Sequence, residues 1–308
     1  MLDYLAAKYK KSWVIGSRIA RELTSFSVGD RLPTIQEFTE KMNSSRGIVQ
    51  KALDDLQTKG ALSLEKRGKM GTYITACCRE LLLREGGVEH LTATMPSPLN
   101  SHLSSLASGV CEAMNSCPVP FNFAFIQSAD KRAEALSRSL YDFAITSRSA
   151  AHRSCAKYPE LSIMTSWEDC IYSPPYMLYS NRPGVKKLSP GDRIAADPAA
   201  IDQYFLTKKI CKGKKVKLIE RPYITCRAMF MAGDIDFLVY RHEKWIQSPK
   251  YTAIPIEYKN EADYLIPAVL INKNNYNIEK ILEPYLRSDI ISKGQTAVLE
   301  HRHEFTIY

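Results

Sequence analysis

The stretches Gly29-Asp30-Arg31-Leu32-Pro33-Thr34, Ser45-Arg46-Gly47-Ile48-Val49-Gln50-Lys51-Ala52-Leu53 and Gly71-Thr72-Tyr73-Ile74, with Gly60 before the last, decide how this chain begins to fold. Gly29, Asp30 and Pro33 stop one helix and redirect the backbone. Thr34, with Glu37 three positions on, makes a capping box in which each side chain satisfies an otherwise unpaired amide. Asn43-Ser44-Ser45 ends that short helix and caps the next, over residues 45–59, with Ile48, Ala52, Leu53 and Leu56 on one face. Then Ala61-Leu62-Ser63-Leu64 and Gly71-Thr72-Tyr73-Ile74 flank the tip Glu65-Lys66-Arg67-Gly68-Lys69-Met70, the pattern of a β-hairpin wing. Upstream, Ile15, Ile19 and Leu23 have helical spacing, and Leu2, Leu5 and Tyr9 extend it as an extra turn or a dimer contact. Residues 1–75 therefore read as a winged helix-turn-helix.

The polar face of the third helix carries Arg46, Gly47, Gln50 and Lys51 near its start. Arginine pairs with guanine edges or phosphate, glutamine pairs with adenine, and a serine beside free helix amides holds phosphate. Lys66, Arg67 and Lys69 on the wing suit the minor groove or the backbone. Thr34, Ser44 and Ser45 at the two caps complete the candidate DNA-binding set. From Gly29 to Ile74 the motifs resemble, in order and spacing, the winged-helix domain of GntR-type bacterial regulators. That resemblance implies double-stranded DNA as partner. Three departures touch the phosphate contacts. Gln36 stands where the family usually has an arginine, Ser44 where it usually has valine, and the wing reads Gly-x-x-Gly-Thr. The alternative is a winged helix that binds protein, which has little use for cations at both groove-facing positions.

Charge agrees with a polyanion partner. Residues 1–75 hold 13 Lys and Arg against 8 Asp and Glu, a net +5 of the chain's +9. Each such cation placed on a phosphate releases condensed counterion. Hydrophobic residues at 45% and charged residues at 24% exclude a chain disordered throughout. The start lacks a signal peptide's design and no run approaches the roughly 18 apolar residues of a membrane span, so a cytoplasmic protein is expected. The eight cysteines form no C-x-x-C pair and have no histidine at zinc-finger spacing, so thiols without a structural metal are expected.

Residues 76–90 read as a linker, with Gly86-Gly87 as the break and a short helix at Leu81-Leu82-Leu83. Strands at 91–95, 121–126 and 142–146 then alternate with a long helix bearing Leu99, Leu103, Leu106, Val110 and Met114 and a helix over 130–139. This rhythm predicts βαβ units and a mainly parallel sheet covered on both faces. It restarts after Tyr158, with strands at 161–165, 176–180, 193–196, 216–220 and 235–240. Asp197-Pro198 opens a helix to about Leu206, and another spans 225–232. Apolar stretches at 252–256 and 264–271 lead to a helix with Ile278, Ile281, Leu282 and Leu286. The expected fold is α/β with two lobes, lobe 1 over 91–165 and 255–308 and lobe 2 over 166–254. The layout, with Tyr141-Asp142-Phe143-Ala144-Ile145 and Gly233-Asp234-Ile235-Asp236-Phe237, resembles the two-lobed periplasmic-binding-protein-like sensor domain. Together the halves resemble YhfZ-type regulators.

In open α/β sheets a ligand sits beyond the carboxyl ends of the strands. That places Thr94, Ser97, Ser147 and Arg148 of the first lobe, with Asp197, Arg221 and Tyr223 of the second, as candidate ligand residues. Ser97 and Arg148 would favour an anion and Asp197 an amine, while each also reads as a cap or a surface charge. The six histidines are scattered outside any catalytic motif, and His301-Arg302-His303 reads as solvated surface, so neither catalysis, cofactor nor metal is expected. The expectation is a dimeric regulator that reads a palindromic operator and senses a small effector. Its rivals are a ligand-free dimerisation platform and an enzyme with a DNA-binding head.

Overall fold

The computed structural model describes residues 11–98, 100–242, 246–257 and 260–300, so Leu2, Leu5, Tyr9, Leu99, His301 and His303 lie outside the described residues. Three helices, α1 (Lys11–Leu23), α2 (Ile35–Met42) and α3 (Arg46–Thr58), pack beneath a hairpin of β1 (Leu62–Lys66) and β2 (Thr72–Cys77). Ile15, Ile19, Leu23, Phe38, Val49, Leu53, Leu56, Leu62 and Ile74 form their common core. Ala52, Leu53 and Leu56 face inward as expected, and Val49 is fully buried where Ile48, only half-buried, was expected to lead the stripe. The capping box is present: Glu37 N donates to Thr34 Oγ1 (3.2 Å) and Thr34 N to Glu37 Oε2 (2.6 Å). Residues 29–32 pair with β2 through Gly29 N to Ile74 O (2.8 Å) and Leu32 N to Thr72 O (2.8 Å), which fastens the wing to the turn before α2.

The expected linker is instead a packed splice. β2 runs to Cys77 and α4 (Arg79–Glu85) follows at once. Leu82 enters the core of the head, while Leu83 and Val88 enter the core of the next domain. Successive helical positions point about 100° apart, so a leucine triplet apolar on two sides bridges two cores.

Lobe 1 is a five-stranded sheet in the order β4 (Phe121–Phe125), β3 (Leu91–Met95), β5 (Phe143–Ser147), β12 (Pro267–Asn272), β6 (Leu161–Ser166). On one face lie α5 (Ser101–Met114), α11 (Ile278–Leu282) and α12 (Ser288–Leu299), on the other α6 (Ala129–Ser137) and α7 (Arg148–Lys157). Where α5 crosses α12, Gly109 meets Gly294, and a β-carbon on Gly109 would stand 2.5 Å from the Ile291 carbonyl oxygen. No larger residue fits that crossing without moving a backbone.

Lobe 2 repeats the plan in the order β9 (Lys217–Glu220), β8 (Arg193–Ala196), β10 (Phe237–Arg241), β7 (Tyr176–Ser180), β11 (Thr252–Pro255), between α8 (Ile201–Cys211) and α9 (Tyr223–Ala232). In both sheets four strands share one direction and the fourth position is filled by a strand running the other way, β12 in lobe 1 and β7 in lobe 2. The sequence rhythm does not show these reversed strands, because each arrives through a crossover between lobes. The outward crossover, 167–175, buries Trp167, Cys170 and Tyr172 in the core of lobe 1, so that lobe extends past the expected break at 166. The return crossover, 256–266, contains the short α10 (Ala262–Leu265). Among the described residues no helix is long and apolar enough to cross a membrane.

The head is joined to lobe 1 by polar contacts on α1. Arg21 Nε donates to Gly86 O (2.6 Å), and its Nη1 donates to Asn275 Oδ1 (2.6 Å) and Tyr276 O (3.0 Å). The Tyr276 hydroxyl donates to Glu22 Oε2 (3.2 Å), and Asn277 Nδ2 to Arg21 O (2.9 Å). Burial lowers the Arg21 pKa, opposed by the Asp142 carboxylate nearby, and Asn275 Nδ2 in turn donates to Asp142 Oδ1 (3.3 Å). The junction meets the amino-terminal ends of the lobe 1 strands, opposite the end where the two lobes face each other.

Candidate functional site

Two surfaces carry the sequence-predicted residues. At the first, α3 begins at Arg46 behind Ser45, whose side chain makes no capping bond. Ser45, Arg46 and Gly47 are exposed, while the amides of Ile48 and Val49 donate to Ser45 O (3.1 and 3.2 Å). Ser44 is half-buried and its Oγ has no partner in its buried setting. Thr34 is exposed but spent on its cap. Gln50 Nε2 donates to Asp54 Oδ1 (3.0 Å) and Lys51 pairs with Asp55 (3.1 Å), so both are held along the helix by acids one turn on. On the wing, Arg67 is clamped by Glu65 (2.7 Å) over the ring of Tyr73, while Lys66 and Lys69 project into solvent, Lys69 from the turn Gly68–Met70. Sequence reasoning left out Arg31, exposed beside the wing and across from Tyr73.

At the second surface the carboxyl ends of the strands of both lobes face one cleft of about 250 Å³. Lobe 1 lines it with Ser97, Asn100, Gln127, Arg132 and Thr146, and lobe 2 with Asp202, Tyr223, Arg227, Tyr240 and Arg241. Tyr172 and Tyr176, on the outward crossover and the strand after it, form its back wall. Of the seven predicted ligand residues, Ser97 and Tyr223 line the cleft. Ser147 stands just behind it: its Oγ donates to Asp202 Oδ2 (2.5 Å) and accepts from Ala150 N (3.1 Å).

The other four expected ligand residues do not line the cleft. Thr94 is fully buried inside β3, and its Oγ1 has no partner there. Arg148 turns away to Asp263 (2.7 Å) and Glu168, acids brought beside α7 by the crossovers. Asp197 is spent on the backbone, accepting from Ala199 N (2.8 Å) and Tyr223 N (2.9 Å), and α8 starts at Ile201 rather than at Pro198. Arg221 is exposed and donates to Glu220 O (2.8 Å).

Arg132 and Arg241 were missed. Arg132 is 2% exposed. Its Nη1 donates to Ile126 O (2.6 Å) and Gln127 O (3.0 Å), its Nη2 donates to Thr146 Oγ1 (3.2 Å) and the Tyr172 hydroxyl (3.4 Å), and its Nε is buried without a partner. Burial lowers its pKa. Arg241 reaches the Tyr176 hydroxyl (3.3 Å) and lies over the rings of Tyr172 and Tyr176, so two guanidinium groups flank Tyr172. Their only sequence signal is position: Arg132 one turn into the helix after β4, Arg241 at the very end of β10. Asp202 also bonds Arg153 (3.2 Å), whose guanidinium stacks on Phe205 of α8 at 4.3 Å. Asp202 and Phe205 belong to lobe 2, Ser147 and Arg153 to lobe 1, so this cluster latches the lobes together.

Residues 79–305 match the YhfZ C-terminal domain, and residues 27–74 match a helix-turn-helix domain. The chain belongs to the YhfZ family. This YhfZ-family chain is 28% identical over 231 residues to the uncharacterized protein YhfZ of Escherichia coli (strain K12), which covers 75% of each chain. Its fold is similar to the crystal structure of YhfZ from Shigella flexneri, with a TM-score of 0.60 at 22% identity over 74% of this chain and 97% of that one. An ancestral arginine-binding protein bound to arginine shares the two-lobed fold, with a TM-score of 0.50 at 13% identity over 69% and 97%.

Proposed function

We propose that this YhfZ-family chain is a transcriptional regulator whose winged helix reads an operator and whose cleft binds a small anionic effector. The reading is carried by one juxtaposition: a helix-turn-helix with Arg46 and the wing lysines exposed is bonded through Arg21 to a two-lobed domain whose cleft is lined by three arginines. The start of α3 enters the major groove, Arg46 and Gln50 meet base edges, and Lys66 and Lys69 steady the wing on the backbone. A dimer presents two such heads to a palindromic site. Because the head is bonded to lobe 1, closure of lobe 2 over a ligand alters the spacing of the heads only through the relation of one lobe 1 to the other. The ligand shifts operator affinity only as far as it binds one arrangement better than the other.

Selection of bound fragments from random DNA tests the first half, and operator affinity measured with and without a metabolite panel tests the second. A protein that retains no duplex at low salt is no operator reader. Operator affinity indifferent to every metabolite leaves the domain as a dimerisation platform. Turnover of a metabolite that survives removal of residues 1–75 points instead to an enzyme with a DNA-binding head.

A further inference from the structure

Resting on the reading of the cleft as an effector site, we infer that its ligand is a flat dianion that carries no amine. Charge supplies the first argument. Among the cleft-lining residues are three arginines, Arg132, Arg227 and Arg241, and a single carboxylate, Asp202. Neither Arg132 nor Arg241 forms an ion pair among the described residues. The hydrogen-bond partners of Arg132 are carbonyl and hydroxyl oxygens, all neutral. Arg132, fully buried, and Arg241, half-buried, repel each other across one tyrosine, and the burial of Arg132 is costly without a paired counter-ion. Two acidic groups on one ligand relieve both costs at once, and a guanidinium accepts carboxylate or phosphate equally well.

The missing amine follows from Asp202. Its Oδ1 is held by Arg153 and its Oδ2 by Ser147, both on the opposite lobe. Asp197, the other acid near the helix starts of lobe 2, is spent on two backbone amides. A ligand ammonium therefore finds no free carboxylate and sits instead beside guanidinium groups. Flatness follows from the walls. Tyr172, Tyr176, Tyr223 and Tyr240 line the cleft, and Tyr223 stacks on Tyr240 with centroids 4.7 Å apart and planes at 21°. Aromatic side chains lining a small cleft favour a planar body over a bulky aliphatic one. A volume of about 250 Å³ has room for about one ring with its substituents, being below the range of drug-sized pockets.

Calorimetric titration of the full chain with isophthalate, phenyl phosphate, benzoate, L-glutamate and L-arginine tests the inference. Isophthalate or phenyl phosphate should bind at least about tenfold more tightly than benzoate and either amino acid. Arg241→Met, which keeps bulk beside Tyr172 and Tyr176, should remove that advantage and bring the dianion to the level of benzoate. Asp202→Asn should leave the rejection of L-glutamate unchanged, because the wild-type carboxylate is already spent. Benzoate equal to both dianions, either amino acid as the tightest ligand, or no binding by any of the five overturns the inference. An amino acid that binds and also shifts operator affinity would overturn the ligand class alone. Operator affinity that responds to no metabolite would remove the effector reading itself.

Discussion

The cations of the head and those of the cleft follow opposite rules. Arg46, Lys66 and Lys69 stand in water without an ion pair among the described residues, so their charge costs the fold little. Arg132 is 2% exposed and Arg241 is half-buried over two tyrosine rings, so charge held there costs the fold more. The first arrangement suits a polymer that offers many phosphates, each bound weakly and each sensitive to salt. The second suits one small anion held firmly and largely shielded from salt. Arg67, exposed yet clamped by Glu65, lies between the two and is already partly neutralised.

This contrast is broken most directly at Arg132. Arg132→Leu should cost anion affinity on the order of 100-fold, as expected when one partner of a buried charged contact is removed, while operator affinity of the ligand-free protein stays within about twofold. Paired titrations with anion and operator DNA check this, and equal loss in both would show that the two regions are not separable. Arg46→Ala should do the reverse. Operator binding should weaken by about 1 to 3 kcal/mol with relaxed base preference, and anion affinity should not move.

The junction sharpens the comparison. Arg21→Ala removes the bonds to Gly86, Asn275 and Tyr276 and leaves both surfaces intact. Each surface should keep its own affinity, and the effector-linked change in operator affinity, typically about 1 to 3 kcal/mol of coupling, should fall toward zero. A coupling unchanged in that variant would place the transmission elsewhere.

Two smaller effects complete the set. Burial raises the Asp202 pKa, opposed by the Ser147 hydroxyl and the charge of Arg153. An acid whose folded pKa lies above its unfolded value holds its proton more tightly in the fold. Its stabilising share is therefore present below the unfolded value of about 3.9 and is lost as pH rises through the folded one. Melting curves should show wild type losing ground to Asp202→Asn upward from about pH 4, with no further divergence once the carboxylate is ionised. Lys69→Ala should weaken all duplex sequences alike and lower the slope of log affinity against log salt by about 1.

Much of the head could be read from residue order, because its determinants are local. The Thr34–Glu37 box, the turn before Pro33 and the glycine-bearing wing act within a few residues of themselves, and they appear where the sequence places them. The cleft was legible only in outline. Helix starts at the carboxyl ends of strands can be counted along a chain, which is how Ser97 and Tyr223 were found. Arg148 shares that position and still turns away, because Asp263 lies 115 residues later and reaches α7 only through the return crossover.

By itself the sequence determined where most helices and strands, the Thr34 cap and the basic wing lie, since periodicity and capping are contests between neighbouring groups. Tertiary structure alone decided that residues 76–90 splice two cores, that β12 and β7 run against the other strands of their sheets, and that Arg132 rather than Arg148 faces the cleft. The physical reason is that a long charged side chain goes to whichever partner packing brings near. Here Thr146, Tyr172 and Asp263 come from elements far apart in the chain.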